Sequence, residues 1–501
     1  MFRKILVANR GEIAVRILRT VREMGIRGVA VYSDADREAP HVAAADEAVA
    51  LGPPEPASSY LDSGKVLEAA RSTAAEAIHP GYGFLSESPA FARAVGEAGL
   101  AFIGPPPEAM SLLGDKVAAR RFLRARGVPV VPGTVEPAAD AERLAAAARG
   151  LGYPVMVKAA AGGGGKGMRR VERPEDLAEA ARQGSSEARA AFGDGTVYLE
   201  KALHAPRHVE FQILADGHGQ VVHLHERECS LQRRHQKLLE ESPSPGLDPD
   251  LRRRMGEVAV QVARDARYRS AGTVEFLLDG DRFYFLEVNT RLQVEHPVTE
   301  MVTGLDLVRS QIEIAAGAPL SLRQEEVQPR GHAIECRIYA EDPEQGFAPS
   351  PGRILLARAP AGPGIRWDGG VESGSEVGLH YDPILGKLVA HGPSREAAIG
   401  RMVRALEECA ILGVATPVEF LLDVLRSAPF RAGKTHTRFL EEHFAGWRRP
   451  GDEAGDRMAL LGHLLEAQGS RGPCSPAGEA ARPPPSPWSA LGAWDIAGRR
   501  S

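Results

Sequence analysis

From position 286 onward, apolar and polar residues alternate: Leu286, Glu287, Val288, Asn289, then Arg291, Leu292, Gln293, Val294, Glu295. An extended backbone turns successive side chains to opposite faces. The pattern predicts a strand running through Glu295, with Glu287, Asn289, Arg291, Gln293 and Glu295 on one wall of a cleft and the aliphatic residues packed behind. Residues 208–213 alternate in the same way, turn at Asp216-Gly217 and pair with residues 220–228. A helix over residues 251–267 precedes a hairpin over 273–289 around Asp279-Gly280-Asp281.

The first 113 residues carry a different rhythm. Strand patterns at 4–8, 28–32, 76–79 and 100–103 enclose helical spacing such as Ile13, Ile17, Leu18 and Val21, and Ser88-Pro89 is a helix start. Alternating β and α units predict a parallel sheet. A third block, residues 331–445, shows a strand near 333–339 and a helix over 395–406, and residues 446–501 read as a Pro/Gly/Ala-rich linker with one short helix at 458–467.

Composition narrows the class. At 501 residues the chain exceeds one core, and its 43% apolar and 25% charged content is that of a globular protein. A net charge of −5 supplies no general field for nucleic acid or an anionic membrane. The cysteines, Cys229, Cys336, Cys409 and Cys474, show no CxxC spacing, which disfavours a disulfide scaffold or zinc ribbon. With no signal-peptide pattern and no apolar run near the ~20 residues of a membrane helix, the expected location is cytoplasmic.

Four features carry chemistry. After a strand at 152–159 comes Gly162-Gly163-Gly164-Gly165-Lys166-Gly167, whose backbone N–H groups suit a polyphosphate but which matches neither a Walker loop nor GxGxxG. An odd-length hairpin loop centred on Asp281 would set Glu275 directly opposite Glu287, with Asn289 on the same face, a hard-cation donor set. The segment from Glu228 to Lys237 is basic and either neutralises phosphate or bicarbonate or is a solvated loop. Zinc at Cys229 with His223 and His225 is not expected. Glu335-Cys336-Arg337 places Arg337 on an alternating strand as an ion-pair partner or an anion ligand.

Taken in order, Ile5 to Ala14 (ILVANRGEIA), His79 to Glu87 (HPGYGFLSE), the glycine run, Glu228 to Lys237 and Glu287 to Glu300 resemble biotin carboxylase over residues 1 to about 445. That resemblance implies an α/β and α+β multidomain fold: an N-terminal Rossmann-like parallel domain (1–113), an ATP-grasp domain with a glycine-rich lid (114–320) and a biotin carboxylase C-terminal domain (331–445). It implies Lys116, Lys158, Glu200, Lys201, Leu203, His208, Gln232 and His235 around ATP, and Gly163, Gly164, Gly165, Lys166 and Gly167 over its phosphates. Glu275, Glu287 and Asn289 would hold Mg²⁺ or Mn²⁺. Lys237, Arg291, Gln293 and the Val294 backbone would bind bicarbonate, with Glu295 as general base and Arg337 at the biotin ureido oxygen. Cys229 is not expected to serve as a base.

The resemblance further implies biotin on a carrier protein or domain, a carboxyltransferase partner and a homodimer or larger complex, with neither nucleic acid nor membrane as a partner. Departures are small: Val288 for Met, Glu228 for Asp, and Ala415-Thr416-Pro417 near the C-terminal block. No methionine precedes a lysine, so a biotin-attachment motif is absent, while Ser486 to Trp494 resembles the segment after biotin carboxylase in acyl-CoA carboxylase α subunits. The rival readings are a carbamoyl-phosphate-type ligase and a catalytically dead structural component of a carboxylase complex. The His79 to Glu87 motif argues against the first, and the intact acidic and basic set argues against the second.

Overall fold

The computed structural model describes residues 1–134, 141–160, 168–234, 236–449 and 451. The glycines and Lys166 of the expected lid, His235, and the expected helix at 458–467 lie outside the described residues. Contacts divide the chain into Met1–Arg448, which carries the described sheets and helices, and Arg449–Ser501.

Its N-terminal strands β1 (Lys4–Val7), β2 (Arg27–Ser33), β3 (Glu47–Gly52), β4 (Ala77–His79) and β5 (Ala101–Phe102) form the expected parallel sheet, in the order β3-β2-β1-β4-β5. Helix Gly11–Glu23 buries Ile13, Ile17, Leu18 and Val21, the stripe its spacing predicts. Ser88 caps helix Pro89–Glu97 by accepting from the Phe91 N–H. Beyond it, β6 (Val155–Ala159), β7 (Arg169–Val171) and β8 (Val197–Lys201) make a small antiparallel sheet.

The dominant element is an eight-stranded antiparallel sheet. Along it run β13 (Arg282–Asn289), β12 (Ser270–Asp279), β9 (Arg207–Ala215), β10 (Val221–Arg233), β11 (Gln236–Ser242) and β14 (His332–Tyr339), continued by strands Ile384–Gly392 and Ile365–Gly369. Val209, Phe211 and Ile213 of β9 join Phe276 and helix Pro249–Asp265 in an apolar core. The alternate residues His208, Glu210 and Gln212 take the other face, buried yet polar. Among the described residues, no helix is long and apolar enough to cross a membrane.

Two local expectations fail, for identifiable reasons. The hairpin loop is not odd: Asp279 pairs with Arg282 around Gly280-Asp281, and Phe276 with Phe285. A bulge then leaves Leu286 unopposed and brings Glu275 level with Glu287. Nor does the strand stay extended through Glu295. It ends at Asn289, the Thr290 N–H is taken by Glu87, and helix His296–Thr303 starts with Pro297 in its first turn. Also unpredicted is the extent of β10, which carries the basic segment through Arg233 rather than leaving it as a solvated loop.

Candidate active site

Polar residues from six strands of the large sheet converge on a cavity of about 780 Å³. At one end, Lys158 of β6 lies 2.5 Å from Glu200 of β8, which Arg120 also contacts. Lys201 and Leu203 line this end; Lys201 turns its ammonium onto the Gly152 and Tyr153 carbonyls, and the Leu203 carbonyl accepts from Arg170. His208 receives the Gln232 amide at Nδ1, 2.9 Å away, and faces Glu275 through Nε2 at 3.0 Å. Its imidazole is raised above the ordinary value: burial opposes the charge, and the Glu275 carboxylate outweighs it.

Mid-cavity, Glu275 and Glu287 face each other as directly opposed residues. Each already has a cation: Lys116 lies 2.7 Å from Glu287, and Lys237 lies 2.9 Å from Glu275. The Asn289 amide donates to Glu275 at 2.7 Å and its carbonyl accepts from Arg291 at 3.2 Å. Two carboxylates and an amide oxygen with no sulfur among them suit a hard divalent ion.

Lys237 is the centre of the far end. Its ammonium touches Glu210, Glu275 at 2.9 Å and Glu295 at 2.6 Å. Burial disfavours its charge, but the three carboxylates hold its pKa well above the lysine value. Arg337 donates to the second oxygen of Glu295 at 2.8 Å and to Glu240 at 2.6 Å. Burial disfavours the Glu295 anion too, yet Lys237, Arg337 and Arg227 keep it below the ordinary carboxylate range. Glu295 has no exposed surface and stands behind Lys237 and Arg337 rather than on the cavity wall. Arg291 reaches Gln293 at 3.0 Å, and Gln293 donates to Glu275 at 3.1 Å. The expected single wall does not form: Glu287 and Asn289 line the cavity from β13, Arg291 and Gln293 reach it from the turn that follows, and Glu295 lies behind it.

Several partners went unassigned in the sequence. Glu87 holds Arg291 at 2.8 Å, Lys387 anchors the Val294 carbonyl at 2.9 Å, and fully buried Arg227 binds Glu210 at 2.6 Å. Glu87 stood inside a quoted motif, and Arg227 was signalled by a charged residue within a strand pattern. Cys229 is buried, and burial pushes its thiol well up, so it stays protonated. Its neighbours His223 and His225 meet edge to face, and neither belongs to a group of potential metal ligands among the described residues.

Three family models match in sequence: the biotin carboxylase N-terminal domain over residues 1–110, the carbamoyl-phosphate synthase L chain ATP binding domain over 115–323, and the biotin carboxylase C-terminal domain over 335–442. The flanking matches count against the carbamoyl-phosphate reading. The chain is 53% identical over 442 residues to biotin carboxylase of a Nostoc species, covering 88% of this chain and 99% of that one. It is 51% identical over 443 residues to biotin carboxylase of Allochromatium vinosum, covering 88% and 98%. In structure it is similar to the biotin carboxylase domain dimer of Hydrogenobacter thermophilus 2-oxoglutarate carboxylase, solved with MgADP, ADP and bicarbonate (TM-score 0.87, 45% identity, 90% of this chain and 100% of that one). With carboxylates, lysines and arginines gathered in one cavity and all three domains matched, the chain belongs to the biotin carboxylase family, ATP-grasp enzymes that carboxylate biotin in the first half-reaction of biotin-dependent carboxylases.

Proposed function

We propose that this cavity binds ATP at the Lys116, Lys158, Glu200 and His208 end and joins bicarbonate to biotin at the Lys237 and Arg337 end. The observation that carries the reading is Lys237, which links Glu275 of the mid-cavity pair to Glu295 of the far cluster through one ammonium. Glu275, Glu287 and Asn289 would hold Mg²⁺ or Mn²⁺, which when bound neutralises phosphate charge. Lys237, Arg291, Gln293 and the Val294 backbone take bicarbonate. In the free site Glu295 is a poor base, because Lys237, Arg337 and Arg227 stabilise its anion. Bicarbonate drawing on Lys237 weakens that hold and lets Glu295 accept the proton.

The bicarbonate oxygen then attacks the γ-phosphorus, giving carboxyphosphate and ADP, with lysines stabilising charge as it develops. Carboxyphosphate releases CO₂ and phosphate, and phosphate removes the biotin N1 proton. Arg337 stabilises the ureido oxygen while N1 captures CO₂. Biotin would arrive on a carrier protein or domain and pass to a carboxyltransferase, with the chain acting as a cytoplasmic homodimer or within a larger complex. Residues 1–113, 114–320 and 331–445 would be the working domains.

The test is ADP release by the purified chain with free biotin and bicarbonate. Glu295→Gln and Lys237→Met should cut bicarbonate-dependent turnover at least about 100-fold while ATP binding persists. Full turnover in both variants would refute these roles.

A further inference from the structure

Behind Arg337 the sheet carries two carboxyls that the proposed chemistry does not use. Glu240 of β11 and Glu335 of β14 are directly opposed in the antiparallel ladder and neither is exposed. Arg337, two residues from Glu335 and on the same face, donates Nε to Glu240 Oε1 at 2.6 Å. Among the described residues, Glu240 Oε2 and both Glu335 oxygens then remain buried without a hydrogen-bond partner. An ionised carboxylate stranded in this way is costly, whereas a protonated one becomes a donor.

The geometry offers that donor an acceptor. Opposed residues of an antiparallel pair have Cβ atoms about 4.5–5.5 Å apart. One proton on Glu335, directed at Glu240 Oε2, satisfies two of the three orphaned oxygens together. The surrounding cations are engaged elsewhere. Lys387, opposite Arg337 on strand Ile384–Gly392, binds Glu12 of the N-terminal helix at 3.1 Å and the Val294 carbonyl at 2.9 Å. Lys237 is held by its three carboxylates, and Arg337 also meets Glu295 at 2.8 Å and the Tyr339 hydroxyl at 3.4 Å.

We propose that Glu335 is a positioning residue kept as a neutral carboxylic acid, donating to Glu240 so that this pair presents a single negative charge to Arg337. Burial pushes the Glu335 carboxyl well up against the pull of Lys387, and pushes Glu240 up to about 7 against that of Arg337. A second charge behind the guanidinium would draw it back from the cavity and weaken its hold on the ureido oxygen.

The inference rests on biotin lying beside Arg337, so its test separates the two ideas. In the full chain, Glu335→Ala should lower kcat/KM for free biotin about tenfold while KM for ATP stays within about twofold, and Glu335→Gln should restore the wild-type value. Glutamine that fails to rescue, an alanine variant with unchanged biotin kinetics, or equal damage to ATP and biotin parameters would overturn it. Infrared spectra of the wild-type chain, which need no variant to fold, should show a protonated-carboxyl band at neutral pH that is lost in Glu335→Gln; absence of any such band also overturns the inference. Wild-type protein that carries this band but never carboxylates biotin would instead defeat the placement of biotin.

Discussion

Replacing Arg227 by methionine isolates a part of the site that has no exposed surface. The guanidinium is fully buried and donates to Glu210 at 2.6 Å, Gln212 at 2.7 Å, Thr273 at 2.9 Å and Thr299 at 3.0 Å. Methionine keeps most of the stem volume but removes every donor. Breaking a buried ion pair by deleting one partner costs about 3–5 kcal/mol. Lys237 still neutralises the other Glu210 oxygen, which argues for the lower part of that range, while three neutral acceptors lose a charged donor, which argues for the upper. The expected loss is about 4 kcal/mol near neutral pH.

The sign with pH follows from Glu210. Burial already raises this carboxyl in the folded state despite Lys237 and Arg227, and losing Arg227 raises it further. A carboxyl raised on folding binds more protons folded than unfolded, so its contribution to stability falls as pH rises. The Arg227→Met deficit should therefore be larger at about pH 8 than at about pH 5.5 in urea unfolding followed by circular dichroism. A variant within about 1 kcal/mol of wild type at both pH values would refute the argument.

Three further outcomes are expected. Glu275→Gln and Glu287→Gln should each raise the Mg²⁺ concentration needed for half-maximal turnover about tenfold or more, and chelator should abolish wild-type turnover; unaltered metal titrations would remove these residues from the metal site. Glu87→Gln should raise KM for bicarbonate several-fold (roughly 3–10) through loss of its hold on Arg291, with KM for ATP unchanged; steady-state kinetics in both substrates decide. Because Glu295 is depressed by its cations, its stabilisation is fully present above the unfolded carboxylate value of about 4.3 and lost only as pH falls through the lower folded value. The stability deficit of Glu295→Gln should accordingly be constant from about pH 5.5 to about pH 8, and a deficit that vanishes by pH 5.5 would contradict the ion-pair geometry.

Read alone, the sequence determined what local periodicity and motif order can determine. The β1 to β5 rhythm, the stripe on helix Gly11–Glu23 and the two-faced β9 follow from side-chain spacing that does not depend on distant neighbours. The motif series likewise identified the family without coordinates. Tertiary structure decided which charges meet. Lys237 touches Glu210, Glu275 and Glu295 because the sheet order β13-β12-β9-β10-β11-β14 sets strands remote in sequence side by side. Glu275 reaches Glu287 only through a bulge at Leu286, and a one-residue change of register reverses every side chain beyond it. Glu295 reaches Lys237 and Arg337 from a turn that alternation read as strand, since the pattern of a strand does not encode where the chain stops being extended. Glu240 and Glu335 became a pair by ladder register across almost a hundred residues of sequence, and burial, which no single residue specifies, makes their shared proton matter.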